Sequence, residues 1–218
     1  LSYVVYTSET NAFLAQLPLI QEKVVDILRS SPADLVHAEV YLCMRVFLCR
    51  FASQHLTGFW PIILTEMVRI LAQAKVDLPA DKSDRLQLVF SVVKLADFLI
   101  TLQTDDFQIH QWLLITDTPD ATNPASSYMA DSLLDCLAKF VSECQRELVF
   151  DANDSLERAQ QRRPLLQMSS VATISTLQPF FATASRAFYQ CDFHATLDWD
   201  NINACLLHDL FEPIHTNT

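Results

Sequence analysis

Glycine is almost absent from this chain, which has one such residue, Gly58, among its 218. Loops that cradle phosphates, bind dinucleotides or present a nucleophile at a sharp elbow use glycine, because they need positive φ angles or a close backbone approach. A chain with a single glycine has little material for such loops. Enzymes built on them are therefore excluded, and we predict no catalytic residue and no cofactor.

Basic residues are also scarce, with 15 Lys and Arg against 26 Asp and Glu and a formal net charge of -11. Because such a surface repels polyanions, we expect no nucleic-acid partner and no general attraction to anionic membranes. One local exception is the cluster Arg158, Arg162 and Arg163, which is the candidate contact for anionic lipid. The acidic residues just before it favour a solvated loop as the simpler interpretation.

Paired cysteines and uninterrupted apolar runs are missing as well. The six cysteines lie in apolar helical patterns without short paired spacing, which predicts reduced thiols and a cytosolic protein. Arg45, Arg50, Lys94 and Asp97 interrupt the longest apolar stretches, so neither a membrane span nor a signal peptide is predicted. A hydrophobic fraction of 50% still predicts a sizeable core. The cysteines are Cys43, Cys49, Cys136, Cys144, Cys191 and Cys205.

The chain has helical periodicity nearly throughout, which predicts an all-α fold. We expect about eight helices, stacked as hairpins in a HEAT-like, α-solenoid-like single domain over residues 1–218. Flexible breaks are predicted at 117–127 and 151–161. The predicted helices are Asn11–Arg29, a second from Pro32 or Asp34 to Phe51, a third from Ser53 to Leu71, Asp84–Leu102, Asp105–Ile115, Met129–Val149, Ser175–Phe193, and a last from Asp198 or Asp200 to Phe211.

Short polar side chains at the predicted helix starts mark candidate N-caps. Ser53, Ser83 and Thr104 each precede an apolar periodic segment, and Ser175 with Gln178 has the spacing of a capping box. The acidic pairs at residues 105–106 and 198–200 also fall at helix starts, where carboxylates favour the helix dipole, rather than forming a catalytic pair. The segment 164–174 is either a buried extended stretch or a short helix.

Pro61 falls inside the third predicted helix. A proline there removes one backbone hydrogen bond and clashes with the preceding turn, so a kink or break is expected between Thr57 and Trp60, with Gly58 easing the bend.

Four residues near the end of the chain have the spacing of a zinc site. Cys191 and His194 are three apart, as are Cys205 and His208, and residues at that spacing share one face of a helix. Cysteine is equally common in cores, so we interpret the four residues as packing elements and predict no metal site.

Two further sets of residues have alternative interpretations. Arg45 and Arg50 project from an apolar helix, where they either receive an acidic partner, pair with a carboxylate such as Glu66 or Asp97, or extend to solvent. Trp60 and Trp112 are either core residues or exposed anchors for a partner.

Six blocks, in matching order along almost the whole chain, resemble the C-terminal region of the Dopey family. They are LPLIQEKVVDILR (17–29), RFASQHLTGFWPIILTEMV (50–68), DDFQIHQWLLITDT (105–118), RRPLLQ (162–167), LQPFFATASRAFYQCDF (177–193) and CLLHDLFE (205–212). The chain departs from the family pattern at Gly58, where serine is usual, around residues 151–161, and at His208, whose position is aliphatic in relatives.

This resemblance implies a scaffold or adaptor of Golgi and endosomal membrane traffic. It implies partners of three kinds: a large Arf-exchange-factor-like scaffold, a phospholipid flippase complex and kinesin light chain. The expected location is cytoplasmic, peripheral to the Golgi, trans-Golgi network and endosome membranes, with homo-oligomers left open. The alternative is a phosphoinositide-binding module at the membrane surface. The family-motif residues that could serve a partner are Arg50, Gln54, His55, Thr57, Trp60, Pro61, Phe107, Gln108 and Trp112.

Overall fold

Helices account for the regular structure of this protein in a computed structural model, which describes residues 1–110, 113–115, 132–144, 157–190 and 195–211; no strand occurs within these ranges. The all-α prediction is therefore confirmed. The helices are α1 Ser2–Thr7, α2 Leu17–Ser30, α3 Asp34–Arg50, α4 Trp60–Val76, α5 Asp84–Leu102, α6 Asp105–His110, α7 Leu133–Cys144, α8 Gln178–Gln190 and α9 Trp199–Phe211. A further helical turn covers residues 157–160.

The core is built around α5, which is buried on nearly every side. It packs against α3, α4 and α8, while α7 packs against α4 and α8. Helices α1 and α9 both lie on α3 at one end of this arrangement. A helix that is apolar all round belongs in an interior. The layered packing is compatible with a helical-repeat architecture, as predicted.

Two of the predicted N-caps are confirmed. The Ser83 Oγ accepts a hydrogen bond from the Leu86 N–H at 3.1 Å at the start of α5. At the start of α9 the Asp198 carboxylate accepts one from the Asn201 N–H at 3.0 Å. In both cases the side chain satisfies a backbone donor that has no partner within the helix.

The other predicted caps are wrong. The Thr104 hydroxyl is buried without a hydrogen-bond partner, and so is the Ser175 hydroxyl. The Gln178 side chain reaches Ser142 instead of the backbone expected for a capping box. Ser53 begins a short 3₁₀ turn and caps no α-helix. The first predicted helix is also shorter than expected, since α2 begins at Leu17, and the sequence did not predict α1.

The expected break before Pro61 is confirmed. Two 3₁₀ turns, Ser53–His55 and Thr57–Phe59, precede α4, and Pro61 lies in its first turn, where a proline needs no hydrogen-bond partner. Gly58 does not have a positive φ angle. Its lack of a Cβ instead makes room for Gln21, because a Cβ there would lie 2.6 Å from the Gln21 Nε2.

Four residues other than glycine adopt the left-handed backbone conformation that glycine usually provides. They are Asn11, Lys82, Gln103 and Arg162, with φ angles of 63°, 56°, 50° and 49°. Each costs about 1–2 kcal/mol relative to the right-handed region. Gln103 ends α5, and its N–H bonds to the Leu99 carbonyl at 2.9 Å. The chain therefore ends its central helix without glycine.

Of the two predicted flexible breaks, 117–127 lies outside the described residues. The described part of the second, 157–161, begins with the helical turn noted above. Segment 164–173, which the sequence left open, has no regular secondary structure and leads into the 3₁₀ turn Ile174–Leu177.

Candidate interaction surfaces

The segment before α4 and the first turn of α4 share a buried side and an exposed side. Leu56 and Phe59 are fully buried and Trp60 is 4% exposed, so they fix the two 3₁₀ turns to the core. Gln54, Thr57, Gly58 and Pro61 are exposed on the opposite side. We call these four residues the 54–61 edge; none of them is charged, Gln54 and Thr57 have polar side chains, and the buried residues below hold the edge in place.

Gln21 of α2 holds the 54–61 edge in place. Its Nε2 donates to the Gly58 carbonyl at 2.7 Å, which ties α2 to the second 3₁₀ turn. His55 is half-buried, and its ring lies 3.4 Å from the Gln54 side chain. The backbone of the edge is thus bound both by the core below it and by a neighbouring helix.

An open groove lies at the other end of α4. Its apolar part is formed by Ala72, Val76, Leu78 and Pro79, and Val76 is 85% exposed. A helix of 17 residues is roughly 26 Å long, so this groove and the 54–61 edge are well separated.

The polar wall of the groove is a bonded network. The Arg85 guanidinium contacts the Asp34 carboxylate at 3.4 Å and the Gln73 side-chain oxygen. Arg69 bonds to both Glu66, at 2.7 Å, and Gln73, at 3.2 Å. The network links α3, α4 and α5 around the groove and gives it a defined shape.

A cluster of buried charges joins α9 to the core. The two oxygens of the Asp209 carboxylate each bind one cation, the Arg45 guanidinium of α3 and the Lys94 ammonium of α5. All three side chains are 6% exposed or less. Burial lowers the pKa of Lys94, with Arg45 nearby adding to the effect and Asp209 opposing it. The carboxylate between two buried cations holds the last helix in place.

The prediction that Arg45 pairs with a carboxylate across a helix interface is confirmed, but the two carboxylates named as examples are not its partners. Arg45 pairs with Asp209, 164 residues away, and not with Glu66 or Asp97. Arg50 places its guanidinium 4.6 Å from the centre of the Tyr6 ring, a cation–π contact between α3 and α1.

Asp97 accepts hydrogen bonds from backbone N–H groups in a segment that is not helical. It is 1% exposed, and its two oxygens accept from the N–H groups of Leu165 and Leu166 at 2.9 and 2.8 Å. Burial raises the pKa of Asp97 to about 7, against the opposing effect of these two hydrogen bonds and of Lys94 and Arg45. The carboxylate fixes the segment after Arg163 against α5.

The Arg162 guanidinium caps the end of α5. It donates to the carbonyls of Thr101 and Leu102 at 3.3 and 3.0 Å, and to that of Ala195 at 3.1 Å. Arg163 forms an ion pair with Asp198 at 2.6 Å. The interpretation as a solvated loop is thus wrong for Arg162, whereas the Arg163 side chain stays 41% exposed beside its ion pair. Arg158 is half-buried and is the second residue of the helical turn. Lipid contact by Arg158, Arg162 and Arg163 stays a prediction.

The remaining family-motif residues divide between core and surface. Trp60 is a core residue and not an exposed anchor. Phe107 is 1% exposed and packs edge-to-face on Phe188, with ring centres 6.4 Å apart. Gln108 is exposed, and Trp112 lies outside the described residues.

The zinc-like spacing is only half described, because Cys191 and His194 lie outside the described residues. Cys205 and His208 are on α9, where the Cys205 Sγ lies 3.9 Å from the Asn201 side-chain oxygen. Within the described ranges, no three His, Cys, Asp or Glu side chains meet as a metal-binding group.

The thiols of Cys43, which is buried, and Cys49, which is half-buried, are poor nucleophiles. Burial raises the pKa of Cys43 and of Cys49 to about 12, so both stay protonated near neutral pH. In the same described part of the chain, no helix is both long and apolar enough to cross a membrane.

Together, the buried central helix, the layered helical packing and the polar surfaces at both ends of α4 define an all-α protein of the helical-stack class. A family model described as DOP1 C-terminal matches residues 1–193. The chain belongs to this family, the DOP1 or Dopey proteins, and corresponds to its C-terminal region.

Curated relatives agree with this assignment. The chain is 28% identical to mouse Protein DOP1B over 221 residues, covering 86% of the chain and 10% of the relative. It is 30% identical to Protein dop1 of Emericella nidulans over 142 residues, or 62% of the chain and 7% of that protein. The Drosophila melanogaster Protein DOP1 homolog is 39% identical over 88 residues, which cover 40% of the chain and 3% of that protein. The chain thus spans a tenth or less of these relatives' length, and no solved structure matches it.

Sequence reasoning missed the Asp209 and Arg162 contacts. Asp209 lies in an ordinary amphipathic helix, and its partners are over a hundred residues away. Arg162 is the first residue of a family block, and this was the one sequence feature that pointed to it. Its hydrogen bonds to backbone carbonyls could not be predicted, because the carbonyl of any residue can accept them.

Proposed function

We propose that this region is a non-catalytic protein-interaction domain of a membrane-traffic scaffold. It acts on the cytosolic side of Golgi and endosome membranes and reaches them through its partners. The observation that carries the proposal is the 54–61 edge. In this family block, Leu56, Phe59 and Trp60 lie in the core, whereas the residues of the 54–61 edge lie on the surface.

The geometry of the edge suits recognition by another protein. The backbone is fixed from below by Leu56, Phe59 and Trp60 and from the side by Gln21, so binding would order few groups and lose little entropy. Gln54 and Thr57 offer side-chain hydrogen-bonding groups to a partner. The groove at the far end of α4 adds an apolar surface next to a polar wall.

The first candidate partner is the large Arf-exchange-factor-like scaffold, with the flippase complex and kinesin light chain as further candidates. The test is a pull-down of purified scaffold by the purified chain. A bulky charge at the edge, Gln54→Lys, is expected to lower the affinity at least fivefold, because it disrupts a polar, uncharged contact. Val76→Asp tests the groove in the same way.

Gln167→Lys is the matched control, since Gln167 is an exposed glutamine on the segment after Arg163. Both lysine variants should keep the parent unfolding temperature, because surface substitutions change stability by about 0.5 kcal/mol or less. The proposal fails if the parent does not bind any of the three partners. If Gln54→Lys and Gln167→Lys bind the partner with equal affinity, the 54–61 edge is not part of the binding site.

The alternative, direct phosphoinositide binding, has weaker support. The Arg162 and Arg163 guanidinium groups are bonded within the protein, and the net charge of -11 opposes an anionic surface. Flotation with phosphoinositide vesicles at low salt discriminates between the two, because electrostatic attraction is strongest there. Protein that floats with the vesicles, without any partner, would favour the alternative.

A further inference from the structure

An exposed apolar surface lies where the first and last described helices meet. Ten large hydrophobic residues are exposed in the described part of the chain, and six of these are on α1, α9 or the residue just before α1. We call these six the α1/α9 patch: Leu1, Tyr3, Val4, Trp199, Leu207 and Phe211.

The patch is continuous across the two helices. The Tyr3 and Phe211 rings are in edge-to-face contact, with centres 5.6 Å apart, and the Tyr6 hydroxyl lies 3.4 Å from the Asn203 side-chain oxygen. Leu207 and Phe211 lie on one side of α9 because they are four residues apart, and Trp199, eight residues before Leu207, lies about 80° around the helix from it. The helix–helix contact therefore joins two apolar stripes into one surface.

Helix α1 has apolar side chains on both sides. Val5 is 1% exposed and packs into the core, while Tyr3 and Val4 on the other side are each 52% exposed. No charged side chain occurs between Leu1 and Ser8. A helix of this kind is normally covered on both sides.

The exposed area is at the upper end of what a free surface shows. Tyr3, Trp199 and Phe211 are 52%, 45% and 61% exposed. An aromatic side chain can bury about 150–250 Å², so the three rings alone leave on the order of 300 Å² uncovered. The three aliphatic residues extend this area within the range of about 300–600 Å² that the largest apolar patch of a monomer occupies, and such patches are often functional.

We infer that the α1/α9 patch is covered by an amphipathic helix from the part of the same polypeptide that lies outside this region. The inference rests on the family membership, because the matched relatives are about ten times longer than the chain. Helical stacks grow by placing the next helix on an exposed apolar face, and only a terminal layer is polar outside. With its apolar outer side, α1 is an inner layer and not a terminal one.

The test places a photo-crosslinking p-benzoylphenylalanine at position 3 in the full-length purified protein. The control carries it at position 19, because Leu19 is 59% exposed and lies on α2, outside the patch. Crosslinked peptides are identified by mass spectrometry in an equal mixture of ¹⁴N- and ¹⁵N-labelled protein. We expect crosslinks from position 3 to a helix outside this region, within one molecule, at a yield at least fivefold above position 19.

Three results would overturn the inference. Crosslinks of mixed isotope composition would show that a second copy covers the patch. Crosslinks confined to residues 1–218 would show that the region covers itself. Equal yields at positions 3 and 19 would show that the patch is open in the full-length protein. None of these results bears on partner binding at the 54–61 edge, so the inference and the proposed function fail separately.

Discussion

Asp209→Asn removes the carboxylate that contacts both buried cations, Arg45 and Lys94, while keeping the size of the side chain. All three side chains are 6% exposed or less, so solvent screens the lost charge much less than it would at the surface. Breaking a buried ion pair by removing one partner costs about 3–5 kcal/mol. Because burial already lowers the pKa of Lys94, loss of its proton would keep the cost near the lower end of that range.

That loss is a large part of the total stability, which is typically about 5–15 kcal/mol. It corresponds to a fall of roughly 10 °C in Tm for a protein of this size. The assay is urea unfolding at pH 7, followed by circular dichroism. The control is Asp200→Asn on the same helix, where the carboxylate is exposed in the first turn and contributes at most about 1 kcal/mol through the helix dipole.

A second variant tests the physical cause. Lys94→Met removes one of the two cations, so the double variant Asp209→Asn/Lys94→Met should be more stable than the sum of the single effects predicts. The reasoning is refuted if Asp209→Asn unfolds within 1 kcal/mol of the parent, or if the two substitutions are additive.

Three further predictions concern α5 and the segment bound to it. The pKa of Asp97 is about 7 in the folded protein and near 4 in the unfolded chain, so the folded state holds a proton that the unfolded state releases between these pH values. The free energy of unfolding should therefore fall as pH rises from 4 to 7, by at most about 1.4 kcal/mol per pH unit. Urea unfolding at several pH values should show that slope, and Asp97→Asn should lack it; a parallel pH profile contradicts the assignment. Arg162→Met leaves the Thr101 and Leu102 carbonyls without their charged donor, so the free energy of unfolding should fall by about 1–3 kcal/mol. The control Arg29→Met, at an exposed residue, should change that free energy little. Equal losses in the two variants would show that the cap does not stabilise the protein. Gln103→Gly relieves a left-handed backbone and removes two buried unpaired side-chain atoms, so Tm should rise by a few degrees; a fall would contradict that account.

Local sequence signals predicted local features. Ser83 and Asp198 cap α5 and α9 because a short polar side chain before an apolar periodic segment can satisfy the first free N–H groups of the helix. Pro61 predicted a break because proline cannot continue a helix. Thr104 has the same type of signal as Ser83, yet its hydroxyl is buried without a hydrogen-bond partner.

Contacts between distant segments could not be predicted from the sequence. Helical periodicity identified Arg45 as a charge on an apolar helix, but its partner depends on how α9 packs against α3, 164 residues later. The 54–61 edge was partly predictable. The family blocks named its residues, whereas only the packing shows that Trp60 is buried and that Gln54, Thr57 and Pro61 face solvent.

The central claim, that this region binds partner proteins through the ends of α4, is tested most directly by isothermal titration of the purified chain with the purified Arf-exchange-factor-like scaffold. The account predicts saturable binding that Gln54→Lys weakens at least fivefold and Gln167→Lys leaves unchanged. The account is contradicted if the parent chain binds neither this scaffold nor the other two candidate partners, or if Gln54→Lys and Val76→Asp both bind with the affinity of the parent.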